Sequence, residues 1–381
     1  MRVALSGVGL RAVTVLNFMR DVDPDLAVVG YYDPEPAHLD KLEPGIPGFA
    51  SVAEMIDRTA PDLFYVASPN HAHLEQIRTG LESGVRVFSE KPVVISMEQT
   101  WALVRLLADH GPDSVLVGMV IRFSDHLKDI KDAMADNRLG KIVSIEANEH
   151  ICPGHGAYFM RDWRRHSAQS GGFMLEKCCH DLDFYMEIAG ARPLRVASFG
   201  GRDMFTPGNA PDDLASILDY SKTPTGNAPT DPYTSDGDII DHQAALMEFE
   251  NRVSMTFHTT LNAPNEQRRF CIFGTEGMAE GDFHGGYLRF TSRNNTYPEW
   301  EKAYTIRGSD PGHYGADFRM AAAIMAHFKD VDRELPVSVT DAIEAGIVAL
   351  ALDESRLHGG IVNLGETWER LDRICGRKPV S

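Results

Sequence analysis

The sequence predicts an α/β chain in two parts. The first is a doubly wound parallel sheet over residues 1–121. The second is an α+β domain over 122–381 with a large, mostly antiparallel sheet. Three observations carry that prediction. Short apolar strand runs alternate with helical patterns over the first 120 or so residues, as successive βαβ units do. Beyond them, polar and apolar residues alternate at period two on both sides of turn residues, as in hairpins. With 381 residues the chain is long enough to bury two cores.

The expected strands of the first part are 2–6, 26–32, 62–67, 85–88 and 114–119. Ser51 with Glu54, and Ser96 with Gln99, have capping-box spacing and mark two helix starts. Gly84 fits the end of a helix running from about His71 to Glu82. In the second part, a helix near 124–137 leads to the alternating stretch KIVSIEANEH. The Gly-, Pro-, aromatic- and Arg-containing segment 152–172 reads as a loop, followed by a helix near 174–189. HQAALMEFENRVSMTFHTT alternates about Asn251, and RRFCIFGTEGMAEGD turns at Gly274–Gly277. The Pro-, Asp- and Thr-rich segment 203–237 reads as an insertion loop, and helices near 314–329 and 339–357 close the chain.

Composition narrows the function. The formal charge of −18 and the lack of a basic run argue against a nucleic-acid partner. No apolar stretch approaches the ~20 residues of a membrane span, and Met1 leads straight into a strand, so neither a leader nor a membrane partner is expected. Five cysteines without CxxC spacing read as reduced thiols, which suggests a cytoplasmic protein.

SGVGLRA places Gly7-x-Gly9-x-x-Ala12 between the first strand and the first helix. Glycines there allow a tight turn and close approach of a pyrophosphate to the helix N-terminus, the dinucleotide (Rossmann) arrangement. Gly7, Val8, Gly9, Leu10 and Arg11 are the candidate cradle. Asp33 ends the second strand, where a carboxylate grips ribose hydroxyls. A carboxylate repels a 2′-phosphate, so NAD is expected over NADP, although Arg11 could reach such a phosphate. Ser68 and Asn70, after the third strand, would lie along the nicotinamide half. Asn70 also suits a helix N-cap, and His71 and His73 read as surface residues. Lys91 stands before Pro92, which disfavours the helical region for it and holds its backbone extended.

GVGLRA, DP at 33–34, SPNHAH, EKP at 90–92 and GGFMLEKCCHDLDFYMEIAG, in this order, resemble the Gfo/Idh/MocA oxidoreductases, which include glucose–fructose oxidoreductase and inositol dehydrogenase. The resemblance covers nearly the whole chain. It implies that Lys91 reaches the reacting carbinol, that Glu90 lies beside the nicotinamide ribose, and that His180 bonds the substrate hydroxyl as acid–base. Glu176 replaces the aspartate usual four residues before that histidine. Glu176, His180 and Asp183 share one helical stripe. Trp163 and Arg164, in DWRR, and His313, in GHYGADF, are further candidates for substrate contact. Arg122 reads as structural.

Adjacent cysteines on a helix point about 100° apart, so Cys178 and Cys179 cannot both face one ion with His180, and no metal is expected. The implied activity is NAD-dependent oxidation of a sugar, glycoside or inositol-type cyclic polyol. The alternatives are an NAD-using glycosidase working by oxidation and elimination, and a non-catalytic NAD-binding regulator. An antiparallel sheet with one open face suggests a homodimer or homotetramer.

Overall fold

A computed structural model describes residues 1–218, 231–304, 312–330 and 332–377. The chain divides into two compact units, one of Met1–Phe123, Pro311–Gly346 and Arg370–Ser381, the other of Ser124–Asp310 and Ile347–Glu369. A single division at residue 121 would leave the late segments with the second unit. In the structure they group with the first.

The first unit begins β1 (Arg2–Ser6), α1 (Leu10–Val22), β2 (Ala27–Tyr32), α2 (Val52–Thr59), β3 (Leu63–Val66), α3 (His73–Glu82), β4 (Arg86–Ser89), α4 (Met97–His110), β5 (Val115–Val117). Its strands form one parallel sheet in the order β2-β1-β3-β4-β5. The order reverses between β1 and β3, and ligands of such sheets sit beyond the carboxyl ends of the strands at that point. The strands were legible because each is a short apolar run; β3 is buried at all four positions.

Both capping boxes form. Ser51 Oγ accepts from Glu54 N and Ser96 Oγ from Gln99 N, each at 3.2 Å. The reciprocal side-chain bonds go one residue upstream of the usual target, to Ala50 N and Ile95 N. Gly84 takes φ +73°.

The second unit begins α5 (Asp125–Ala135), β6 (Ile142–His150), α6 (Pro153–Arg161), α7 (Ser167–Ser170), α8 (Phe173–Ala189), β7 (Pro193–Gly201). It continues α9 (Ala215–Leu218), β8 (His242–Phe249), β9 (Ser254–Thr260), β10 (Arg269–Gly274), β11 (Gly277–Asp282), β12 (Tyr287–Ser292) and β13 (Trp300–Ala303). After these the chain forms α10 (Ala316–Lys329), α11 (Val339–His358), β14 (Val362–Asn363) and α12 (Gly365–Ile374). Helix α10 belongs to the first unit and packs along α1, with Phe18 and Phe318 edge to face at 6.3 Å.

The nine-stranded sheet runs β13-β12-β11-β10-β6-β9-β8-β7-β14. It is antiparallel except for β6 beside β9. Burial alternates along β6, β8 and β9, so one face is covered and the other open. Helix α8 is buried along nearly its whole length, as the apolar residues flanking its polar stripe imply.

One expectation needs correction. The 152–172 segment is mostly helical rather than a loop. Pro153 sits in the first turn of α6, where its missing N–H costs nothing. Gly156 is there for contact: a Cβ would lie 1.9 Å from the Leu261 carbonyl oxygen. The 203–237 segment is tied down at both described ends, while residues 219–230 lie outside the described residues. The buried Asp241 carboxylate accepts from the amides of Asp203, Met204 and Phe205, and Phe205 packs 5.1 Å from Tyr233.

Candidate active site

The turn after β1 is shaped for a diphosphate. Gly7 has φ +87°, and a Cβ there would lie 2.5 Å from the Ala67 carbonyl oxygen. Only glycine therefore lets the β1 turn press against the chain leaving β3. Around Gly9 a Cβ would meet nothing within 4 Å. Helix α1 starts there without a side-chain cap and without an acidic residue in its first turn, and Leu10 is exposed. Its first amides are thus oriented for an anion. Asp33 is anchored beside this turn: Oδ2 accepts from Val8 N at 2.6 Å and Oδ1 from Glu35 N at 2.8 Å. The open cradle, bare helix start and adjoining carboxylate fit a dinucleotide.

Glu90 and Lys91 follow β4 on the same sheet edge. Glu90 is buried, and its Oε1 accepts from Tyr65 Oη at 2.8 Å and Arg11 Nε at 2.9 Å. Gly118 leaves room for it; a Cβ there would be 3.0 Å from Glu90 Oε2. Lys91 is half-buried, and the Lys91–Pro92 bond is cis.

Arg11, which by position could reach a 2′-phosphate, is engaged by carboxylates of its own unit. Its guanidinium lies between Glu90 and Asp317, bonding Asp317 Oδ1 at 2.5 Å. Burial alone would lower its pKa, but Glu90 and Asp317 outweigh that and raise it further. Burial first, then Glu90, pushes the Tyr65 phenol well up.

The turn after β3 overturns two readings. Asn70 is buried and opens a 3-10 turn, so it does not cap α3, whose N-cap is Ala72. His73 is not on the surface. It is fully buried, with Nε2 2.8 Å from the Ser68 carbonyl oxygen and Nδ1 2.8 Å from the Pro92 carbonyl oxygen. It thereby joins the turn carrying Ser68 and Asn70 to the segment carrying Lys91. Ser68 Oγ donates to Gln76.

His313 also lies in the first unit, on a turn in which Gly312, His313, Tyr314 and Gly315 all have positive φ (+73°, +39°, +60° and +75°). A non-glycine residue in that region costs roughly 1–2 kcal/mol, so the turn is strained at two positions. Strain of this kind gathers at functional sites. His313 Nδ1 is 2.8 Å from Asp317 Oδ2.

In the second unit α8 carries Glu176, His180 and Asp183 along one buried stripe. Arg164 Nε donates to Glu176 Oε1 at 2.7 Å and NH1 to Tyr158 Oη at 2.5 Å. The Arg164 guanidinium also lies 4.2 Å from the Trp163 ring centroid. Arg164, Trp163 and Glu176 therefore form one cluster, with Arg164 on one face of the indole. Burial raises the Asp162 carboxyl and the Tyr158 hydroxyl around it.

Cys178 and Cys179 are buried packing residues, and Cys178 lies 3.6 Å from Thr259 Oγ1. Among the described residues, no group of three or more His, Cys, Asp or Glu is arranged to hold a metal ion. Arg122 is structural: it is buried and donates to the Pro336 carbonyl at 3.2 Å.

Residues 1–119 match the family model described as oxidoreductase family, NAD-binding Rossmann fold, and residues 127–280 match the GFO/IDH/MocA C-terminal domain. The chain belongs to the Gfo/Idh/MocA oxidoreductase family. Residues 1–119, within the first unit, are the family's NAD-binding Rossmann domain. Among curated relatives, an inositol 2-dehydrogenase of Mycolicibacterium gilvum is 29% identical, over 57% of this chain and 61% of its own. A 2,7-anhydro-N-acetylneuraminate hydratase of Escherichia coli is 22% identical, over 71% and 72%. The scyllo-inositol dehydrogenase of Lactobacillus casei, solved with NAD(H) and scyllo-inositol, shares the fold at a TM-score of 0.72 and 19% identity, covering 96% of this chain and 99% of its own.

Sequence reasoning did not single out Tyr65 and Asp317, and it read His73 as a surface residue. His73 had a signal in SPNHAH, five residues after Ser68. The Arg11–Asp317 pair spans 306 positions, which no local pattern reveals.

Proposed function

We propose that the protein is an NAD-dependent oxidoreductase acting on a ring carbinol of a sugar, glycoside or inositol-type polyol. The observation that carries this is the placement of Lys91. It follows the buried Glu90 on the carboxyl edge of the parallel sheet, and Glu90 is bonded through Arg11 to the helix that starts at the glycine turn.

Bound NAD supplies a hydride acceptor. The α1 N-terminus holds the diphosphate, Asp33 accepts from the adenosine ribose hydroxyls, and Glu90 accepts from the nicotinamide ribose. Ser68 and Asn70 line the nicotinamide half. Lys91 and His180 hold the substrate hydroxyl and take its proton, since oxidation removes both a hydride and a proton. Histidine suits that task because its ordinary pKa is near neutrality. Glu176, paired with Arg164, orients the His180 helix turn, while Trp163, Arg164 and His313 contact the substrate's other groups.

NAD is preferred over NADP because Asp33 would face a 2′-phosphate with like charge. All five cysteines are free thiols, which agrees with a reducing, cytoplasmic setting. The open sheet face exposes Phe199 and Leu246, which supports pairing of two copies there.

The relationship to a 2,7-anhydro-N-acetylneuraminate hydratase favours a second reading, in which oxidation is transient and serves an elimination. One assay separates the two. With inositols, hexoses and aryl glycosides, a dehydrogenase accumulates NADH and an oxidised ring. Release of aglycone without net NADH overturns that assignment in favour of elimination. A non-catalytic regulator would show neither, and would have no need of Lys91 and His180 together.

A further inference from the structure

The strained turn at 312–315 is fastened to the dinucleotide end of its own unit by a continuous run of polar contacts. Glu90 Oε1 accepts from Arg11 Nε at 2.9 Å, Arg11 NH1 donates to Asp317 Oδ1 at 2.5 Å, and Asp317 Oδ2 faces His313 Nδ1 at 2.8 Å. Asp317 is 1% exposed, so neither of its oxygens is placed there for solvent. Gly312 is shaped around it: a Cβ would lie 2.2 Å from Asp317 Oδ2. Arg319 fixes the turn from the other side, donating to the carbonyls of Tyr314 at 2.9 Å and Phe123 at 2.6 Å. A left-handed turn with histidine and tyrosine at its centre persists only when its surroundings enforce it.

We propose that Asp317 is a positioning residue: it fixes the His313 imidazole in the tautomer protonated on Nδ1 and, through Arg11, ties that histidine to the carboxylate of Glu90. Taking His313 as a substrate contact, the proposal rests on the function proposed above. A carboxylate accepts and cannot donate, so the ring nitrogen facing Asp317 carries a proton in either charge state of the ring. In the neutral ring, Nε2 is then the nitrogen with a lone pair, suited to accept a substrate hydroxyl proton in a hydrogen bond. Burial would raise the Asp317 carboxyl, but His313 and Arg11 outweigh it and hold it at about 2, so it stays ionised at neutral pH. The titratable groups around it are His313 on its own segment, Arg11 on α1 and, beyond Arg11, Glu90 and Tyr65 at the strand ends.

The test uses Asp317→Asn, Asp317→Glu and His313→Gln in the full-length protein. Nitrogen-15 imidazole spectra of the NAD-bound protein report the tautomer without requiring turnover. The wild type should show His313 protonated on Nδ1, and Asp317→Asn should shift it toward protonation on Nε2 or to a mixture. In substrate oxidation, Asp317→Asn should lower kcat/KM by about 10–100-fold, the scale of one hydrogen bond to a charged group. Asp317→Glu should restore part of it. In a His313→Gln background the same substitution should cost under about threefold, because the residue it positions is gone. An unchanged tautomer in Asp317→Asn, or an equal cost in both backgrounds, overturns the proposal. Absence of oxidation in the wild type refutes the functional reading instead, and the spectra still decide the role of Asp317.

Discussion

Replacing Asp33 by asparagine tests the cofactor site through a charge alone. The carboxylate accepts from Val8 N at 2.6 Å and Glu35 N at 2.8 Å, using one oxygen for each. Asparagine keeps one acceptor and turns an NH2 toward the other amide, so the variant should also lose about 1–3 kcal/mol of stability. For NAD, a charged acceptor on the ribose hydroxyls becomes a neutral one, a loss of about 1 kcal/mol. For NADP the sign reverses. A phosphate of about two charges near 5 Å from a carboxylate is repelled by at least ~1.5 kcal/mol even at the dielectric constant of water. Together these give about 2.5 kcal/mol, a shift of ten- to a hundredfold in the NAD-to-NADP preference. Calorimetric dissociation constants of both oxidised cofactors, in wild type and variant at one ionic strength, give the ratio directly. The wild type should favour NAD by at least about tenfold, or ~1.4 kcal/mol. Equal binding by the wild type, or an unchanged ratio in a folded variant, refutes the role given to Asp33.

Two other outcomes are expected. Burial among Phe283, Tyr304 and their neighbours holds the His126 imidazole down at about 4. The unfolded chain then binds the extra proton between about pH 6.5 and 4, so stability is present above that window and is lost as pH falls through it. The loss from this ring should approach ~2 kcal/mol by pH 5, and His126→Gln should flatten that part of a urea-midpoint profile; an unaltered slope contradicts it. On the open sheet face, Phe199→Asp with Leu246→Glu should convert an oligomer to monomers in sedimentation without loss of NAD binding. A wild-type monomer, or variants with unchanged mass, removes that face as the interface.

Much of this architecture was legible because the signals were local. The five parallel strands are short apolar runs, both capping boxes sit at fixed spacing, and the hairpins at Asn251 and Gly274–Gly277 pair as β8 with β9 and β10 with β11. The failures are non-local. Alternation in β6 revealed a half-buried strand but not that β9 runs parallel beside it. The glycines and proline of 152–172 suggested a loop, yet Pro153 opens α6 and Gly156 lets it approach Leu261. His73 was placed on the surface because an early helical histidine is usually solvated; two backbone carbonyls brought together by folding draw it inside. Arg11 sits where a phosphate grip belongs by position, and its two carboxylate partners become visible only in the folded unit.

The central claim is that Lys91 carries the hydroxyl proton during NAD-dependent oxidation of a ring carbinol. The most direct test compares wild type with Lys91→Met, which keeps approximate bulk and removes the proton carrier. NADH formation would be followed across inositols and hexoses, alongside NAD dissociation constants. The account predicts turnover in the wild type on at least one cyclic polyol or sugar and a fall of about 10²–10⁴ in the variant, with NAD affinity nearly unchanged. Normal turnover by Lys91→Met would contradict it.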